Sequence, residues 1–318
     1  MRGVFLDDHS VSRGDLDLEA LRSTLPEWAF RGTTATSEVA AAIRDADIVI
    51  SNKVLLDSQA LTAATRLKLV CIAATGTNNV DLVTADRLGI TVCNVQAYAT
   101  TSVVEHVFMV MLALSHRLQN HTRAVHQGDW QTASNFSLLD HPFNELNGKT
   151  LGIIGYGELG KAVARTAEAF GLRILVSQRP GGPDKPGRCT LEQLLQKADI
   201  ISLHCPLTDA TRNLIGRAEL AKMRNSALLI NTARGGIVNE ADLADALRAG
   251  DIAGAALDVL TEEPPRHGNP LLDPAIPNLI VTPHVAWAGI NSRQTLVNEL
   301  TANIQAFLAG TPRNVVHA

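Results

Sequence analysis

Three side chains far apart in the sequence could together reduce a carbonyl. Arg234 follows the apolar run Ala227–Ile230, Glu263 comes a few residues after Gly254–Leu257, and His284 follows Leu279–Thr282. A guanidinium can hold a carboxylate and polarise the carbonyl beside it, and an imidazole can deliver a proton to the oxygen as negative charge develops there. A carboxylate next to that imidazole steadies its orientation and keeps a proton within reach. Singly, each has an ordinary reading: Arg234 as surface charge, Glu263 as one acid of the loop Glu262-Glu263-Pro264-Pro265, His284 as packing at a strand end. Three of them at the ends of three successive strand-like runs form a candidate catalytic set.

A second constellation is made of glycines. Gly155-Tyr156-Gly157-Glu158-Leu159-Gly160 lies between the apolar run Leu151–Ile154 and the helical segment Lys161–Phe170. In that context G-x-G-x-x-G predicts a dinucleotide site. Gly155 permits the tight turn, Gly157 lets the backbone approach a pyrophosphate, and Gly160 lets helix and strand pack closely, while the helix N-terminus offers free N–H groups to the phosphates. Glu158 and Leu159, inside the same turn, are counted with the cofactor residues. NAD-specific sites usually carry Asp or Glu at the end of the following strand. Here the stretch reads Ser177-Gln178-Arg179: Gln178 removes the charge that would repel a 2′-phosphate, and Arg179 offers a guanidinium to pair with it. NADP(H) is therefore favoured, with NAD(H) as the alternative.

The elements that must position these residues read as an α/β chain. Short β-branched runs at Gly3–Leu6, Ile48–Ser51, Leu69–Ala73 and Thr91–Val95 predict one small domain of four strands. Six more, beginning at Leu151, Arg173, Ile200, Ala227, Gly254 and Leu279, predict a larger doubly wound sheet. Thr190 can cap a helix over 191–198, and Asn239 opens one that ends at Gly250. Thr101–Gln127 reads as one long helix crossing between domains, and Asn291–Leu308 as a helix returning to the first. The expected division is a discontinuous substrate domain, 1–98 with 289–318, and a dinucleotide-binding domain, 99–288.

At 318 residues the chain exceeds what one core usually supports, which agrees with two domains. A net charge of −4 gives no field to collect phosphate backbones or anionic lipid, so nucleic acid and membrane partners are not expected. No apolar stretch approaches the roughly 20 residues that span a bilayer. Met1–Leu6, followed by Asp7 and Asp8, is too short for a secretory signal, so the expected location is cytoplasmic. Cys71, Cys93, Cys189 and Cys205 form no C-x-x-C pair and read as reduced structural thiols. His106, His116, His121 and His126 do not share a helix face in metal-binding fashion, and no metal is expected.

Gly155-Tyr-Gly-Glu-Leu-Gly, Leu203-His-Cys-Pro-Leu-Thr, Ile230-Asn-Thr-Ala-Arg-Gly-Gly, Leu257-Asp-Val-Leu-Thr-Glu-Glu-Pro and Val281-Thr-Pro-His-Val-Ala-Trp occur in order over essentially the whole chain. In this the sequence resembles the D-isomer-specific 2-hydroxyacid dehydrogenases. Ser51-Asn52-Lys53, Ala73–Asp81 and Asn269-Pro270-Leu271-Leu272 point to their glycerate dehydrogenase or hydroxypyruvate (glyoxylate) reductase branch.

The resemblance implies a Rossmann-type domain beside a flavodoxin-like one, with a cleft that closes on a small 2-keto acid. It implies that Arg234 binds substrate, His284 is the general acid or base and Glu263 its partner. Asp258 would meet the nicotinamide carboxamide; Thr232 and Ala233 would line the cofactor cleft; His204, Cys205, Pro206 and Thr211 would lie near the adenosine and pyrophosphate. Lys53 and the backbone of Thr75 and Gly76 would contact the substrate. A homodimer built around Thr101–Trp130 is implied as well. Competing readings are a dehydrogenase of the same fold with another donor (formate, phosphite or D-lactate) and a non-enzymatic nicotinamide-sensing scaffold.

Overall fold

In the computed structural model, which describes residues 1–318, contacts divide the chain into two units, Met1–Ala99 with Trp287–Ala318, and Thr100–Ala286. The first holds five parallel strands, β1 (Arg2–Phe5), β2 (Glu27–Phe30), β3 (Ile48–Ser51), β4 (Leu69–Ile72) and β5 (Thr91–Cys93), in the order β2-β1-β3-β4-β5. β3 and β4 are buried at every residue, as the middle of a sheet covered on both faces requires. The covering comes partly from α1 (Glu19–Arg22), α2 (Val39–Ile43), α3 (Ser58–Ala63) and α4 (Leu82–Arg87). Asp57 and Asp81 cap the last two by accepting the amides of Ala60 and Thr84. The C-terminal helix, Ile290–Leu308, buries Leu296, Val297, Leu300 and Ile304 in the same core as Ile48, Ile50 and Cys71.

β2 is a fifth strand where the sequence predicts four. It lies at the sheet edge, half-exposed, and Glu-Trp-Ala-Phe lacks the continuous apolar run that marks a central strand. It is held there by Trp28, whose ring lies where a Cβ on Gly3 would stand.

The second unit runs α5 (Thr100–Ser115), α6 (Leu118–Gln127), β6 (Thr150–Ile154), α7 (Glu158–Ala169), β7 (Arg173–Val176), α8 (Leu191–Lys197), β8 (Ile200–Leu203), α9 (Arg217–Leu220), β9 (Leu228–Asn231), α10 (Glu240–Ala249), β10 (Gly254–Leu257) and β11 (Leu279–Val281). Its strands are all parallel, in the order β11-β10-β9-β8-β6-β7. Counted from β6 this is 2-1-3-4-5-6, so its first five strands repeat the order of the other sheet. The winding reverses between β6 and β8, which opens a crevice at their carboxyl ends. Thr190 caps α8 with a full capping box, and Asn239 and Gly250 bound α10.

The segment expected as one long helix is two. Arg117 adopts φ +48, ending α5 and starting α6 at a new angle. The apolar stripe stops at Leu114, and in α6 only Ala124 is buried, so nothing holds a continuous helix against the core. No helix is long and apolar enough to cross a membrane.

Gly160 packs so closely under the glycine turn that a Cβ there would overlap the Gly155 carbonyl oxygen. Gly160→Ala is therefore expected to cost about 1–3 kcal/mol of stability and to weaken dinucleotide binding, both read by thermal unfolding with and without NADPH. An unchanged Tm and an unchanged ligand-induced shift would show that the turn does not need this contact.

Candidate active site at the carboxyl edge of the second sheet

β6 delivers the chain into the glycine turn, where Gly155 takes φ +96 and sits against the backbone of His204 at the end of β8. A side chain at Gly155 would overlap that backbone, whereas one at Gly157 would meet no atom within 4 Å. The turn is thus closed on its inner side and open at the N-terminus of α7. Glu158, the first residue of that helix, is exposed and accepts the Thr100 hydroxyl; Leu159 is half-buried.

Just past the ends of β8 and β9 lie polar atoms without partners. His204 receives or donates one hydrogen bond at Nε2, to Ser202 Oγ at 2.9 Å, while its Nδ1 and the Thr232 hydroxyl are shielded and unpaired. His204 is half-buried overall, yet the shielding of its ring lowers its pKa to about 4, so the imidazole is neutral near pH 7. Cys205 is buried, which pushes its thiol up to about 11. Thr211 is committed to the loop: its hydroxyl donates to the Pro206 carbonyl at 2.7 Å and accepts from Thr208 N at 2.7 Å. Ala233 is buried beside Thr232. An open cradle at Gly157, the free amides of α7 and two unpaired buried polar atoms fit an extended ligand carrying phosphates.

At the end of β7, Ser177 is buried and its hydroxyl donates to the Gln178 carbonyl. The Gln178 amide closes the loop that follows: Nε2 donates to Lys185 O at 3.1 Å and Oε1 accepts from Lys185 N at 2.8 Å. Arg179 is exposed.

The catalytic candidates are brought together by three interlocked loops. Asn231, 1% exposed at the end of β9, accepts from Ala233 N and donates to the Arg234 carbonyl, fixing the turn that carries Arg234. The Arg234 side chain is exposed, with Nη1 on the Ala233 carbonyl at 2.7 Å. The next residue, Gly235, presses on the Leu260 carbonyl so closely that no Cβ could fit. Leu260 N in turn donates to Glu263 Oε1 at 2.9 Å, and Glu263 Oε2 lies 2.6 Å from His284 Nδ1. A carboxylate oxygen accepts, so Nδ1 carries the proton of this bond, and Nε2 is the ring nitrogen that Glu263 does not engage.

His284 itself stands at φ +54, with its amide on the Thr282 carbonyl. Asp258, 2% exposed at the end of β10, explains how that conformation is held. Its Oδ1 accepts from Thr282 Oγ1 at 2.6 Å and from Val285 N at 2.9 Å, and its Oδ2 accepts from Ala286 N at 2.8 Å. Because the Thr282 hydroxyl gives its proton to Asp258, the 3.1 Å contact from His106 Nε2 to the same oxygen has the imidazole as donor. Burial lowers the His106 pKa, and the Asp258 charge works against it. His106, Thr282 and the positioning side of Asp258 are missed by sequence reading. The one signal is that His106 shares the inward face of α5 with Val103, Val107 and Val110.

Lys53, Thr75 and Gly76 belong to the other unit, at the carboxyl edge of its own sheet. The buried Asp7 accepts the amides of Asn52 at 2.9 Å and Lys53 at 2.7 Å, anchoring the backbone from which Lys53 projects. Burial raises the Asp7 pKa against the opposing pull of those amides. Thr75 is held by its hydroxyl on Val95 O and by Asn94 on its carbonyl, both at 2.8 Å. No three His, Cys, Asp or Glu side chains are grouped to hold a metal.

Asp258→Asn puts a donor where one oxygen must accept, and about 1–3 kcal/mol of stability should be lost for the stranded polar group; an unchanged urea midpoint would contradict it. His204 gives a pH signature. Its folded pKa of about 4 is depressed below the ordinary 6.5. The unfolded chain therefore binds the proton first, and this contribution is intact above about pH 6.5 and drains away as pH falls toward about 4. His204→Gln should flatten the decline in stability between pH 7 and 5 relative to the parent, and parallel declines would refute the assignment.

Against known proteins, residues 108–286 match the family model described as D-isomer specific 2-hydroxyacid dehydrogenase, NAD binding domain. The chain is 44% identical to a glycerate dehydrogenase of Methylorubrum extorquens, covering 95% of this chain and 98% of that protein. It is 36% identical to a hydroxypyruvate reductase of Blautia hydrogenotrophica over the full length of both. Among solved structures, an acyclic imino acid reductase in complex with NADPH and D-Arg superposes with a TM-score of 0.86 at 26% identity, covering 99% of this chain and all of that one. With a dinucleotide cradle where the family places its NAD-binding domain, and relatives matched over nearly their entire length, this chain belongs to the D-isomer-specific 2-hydroxyacid dehydrogenases.

Proposed function

We propose that the protein reduces hydroxypyruvate or glyoxylate to D-glycerate or glycolate, with NADPH preferred to NADH. The reading rests chiefly on the bond of His284 Nδ1 to Glu263 Oε2 at 2.6 Å, which fixes the ring by one nitrogen and assigns proton transfer to the other, on the same sheet edge as Arg234. The names of the glycerate dehydrogenase and hydroxypyruvate reductase relatives support the substrate class. A nicotinamide dinucleotide, held at the Gly155–Gly160 turn, would supply the hydride for the carbonyl carbon. Arg234, with one N–H on Ala233 and the rest of its donors unspent, holds the substrate carboxylate and draws charge onto the carbonyl oxygen. His284 gives that oxygen a proton from Nε2, and Glu263 holds the ring in place as the imidazole turns neutral. The two bonds formed, C–H and O–H, complete the alcohol.

Asp258 has accepting capacity left beyond its three bonds, and it is the candidate for the nicotinamide carboxamide; Lys53 and the Thr75–Gly76 backbone are the candidates for further substrate contacts. The neutral Gln178 and the adjacent Arg179 support NADPH. A second copy of the chain is the proposed partner, because Leu118, Val125, Trp130, Phe136 and Leu139 leave large apolar side chains exposed over one stretch.

Initial rates with hydroxypyruvate, glyoxylate and pyruvate, each with NADPH and with NADH, test the reading. His284→Ala should lower kcat about 10²- to 10⁴-fold, and Arg234→Ala should raise KM as well as lower kcat. Near-parental turnover in His284→Ala, or turnover with formate or phosphite and none with the keto acids, would overturn it.

A further inference from the structure

Arg188 is a cation with no assigned task. It lies in the loop after β7, half-buried, and its guanidinium carbon stands 5.8 Å from the centroid of the Tyr156 ring. Tyr156 is the residue between Gly155 and Gly157, so the contact carries Arg188 to the glycine turn. No carboxylate pairs with the guanidinium.

Its backbone is fixed by an extra rung beyond the sheet. Cys189 pairs with Ser177: Cys189 N donates to Val176 O at 3.0 Å and Gln178 N to Cys189 O at 2.7 Å. Arg188 thus comes one residue before the rung on its own segment, and Arg179 two residues after it on the β7 side. Between them, neutral side chains are already spent. Ser177 Oγ is turned to the Gln178 carbonyl, and the Gln178 amide is tied at both ends to Lys185. A half-buried guanidinium over an aromatic face with no carboxylate partner, and a second, exposed guanidinium a short way past the same rung, suit a dianion.

We infer that Arg188, steadied on Tyr156, joins Arg179 in binding the 2′-phosphate of the adenosine ribose, making Arg188 a determinant of dinucleotide choice. The inference rests on the NADPH preference proposed above and names the residues that enforce it. Because NADH lacks the phosphate, Arg188 contributes to NADPH alone, whereas a merely structural Arg188 would affect both ligands alike.

The test is equilibrium binding of NADPH and of NADH to the full-length protein by titration calorimetry, with Tm as a control, for the parent, Arg188→Gln, Arg188→Lys and Arg179→Gln. Arg188→Gln should raise the Kd of NADPH about 10- to 100-fold and that of NADH less than about threefold, at unchanged Tm; Arg188→Lys should recover part of the loss. 2′,5′-ADP should follow NADPH, and 5′-AMP should follow NADH. A parent that prefers NADPH combined with an Arg188→Gln variant that weakens both ligands equally, or neither, overturns the role of Arg188 and spares the cofactor reading. A parent that binds NADH more tightly overturns the cofactor reading itself.

Discussion

A carboxylate taken out of water must be given donors, and the way Asp258 obtains them shapes the whole catalytic edge. Its three bonds come from Thr282, Val285 and Ala286, residues flanking His284 on both sides. Pro283 cannot donate to a sheet ladder, so the chain leaves β11 there and turns back over the end of β10. His284 is forced into the left-handed region at φ +54, a conformation that costs a side-chain-bearing residue about 1–2 kcal/mol. Charge-assisted bonds to a buried carboxylate exceed that cost, and the strain is borne by the residue whose direction matters.

The same logic couples the other two loops. Gly235 and the Leu260 carbonyl are in such close approach that the turns after β9 and β10 cannot shift independently. Leu260 then uses its amide to hold Glu263 Oε1, which leaves Oε2 for His284. A chain of contacts thus runs from the backbone of Arg234 through Gly235, Leu260 and Glu263 to His284, and it ties together the loops that follow β9, β10 and β11. For the proton transfer proposed for His284 such over-determination matters, because misplacement by about 1 Å can cost two orders of magnitude in rate.

Much of this was legible in the residues, and what was not has a common cause. The glycine turn, the Thr190 and Asn239 caps and the buried strands announce themselves within windows of a few residues, because turn geometry, capping and period are local constraints. The positions of Arg234, Glu263 and His284 at strand ends follow from the same windows. The bond from His106 to Thr282 spans 176 positions and the Asp258 bonds 24 to 28, and nothing local marks them. β2 escaped because an edge strand need be apolar on only part of its surface, and the break at Arg117 because helical period says where a stripe lies, not where it loses its partner.

Gln178 illustrates how one side chain can serve fold and specificity through different atoms. Under the proposed NADPH preference its lack of charge spares a 2′-phosphate, and its amide also gives Lys185 both a donor and an acceptor. Glu at this position would keep the acceptor for Lys185 N and lose the donor to Lys185 O, leaving a loop carbonyl to find water. Asp would be shorter by a methylene and reach neither. Replacing Gln178 with the acid typical of NAD-specific sites would therefore loosen the loop that carries Arg179 while adding the charge that favours ribose hydroxyls. If Gln178 sets cofactor choice as proposed, loop closure and that choice are linked at this residue, and a change of preference would have to be accompanied by a new way of holding the turn.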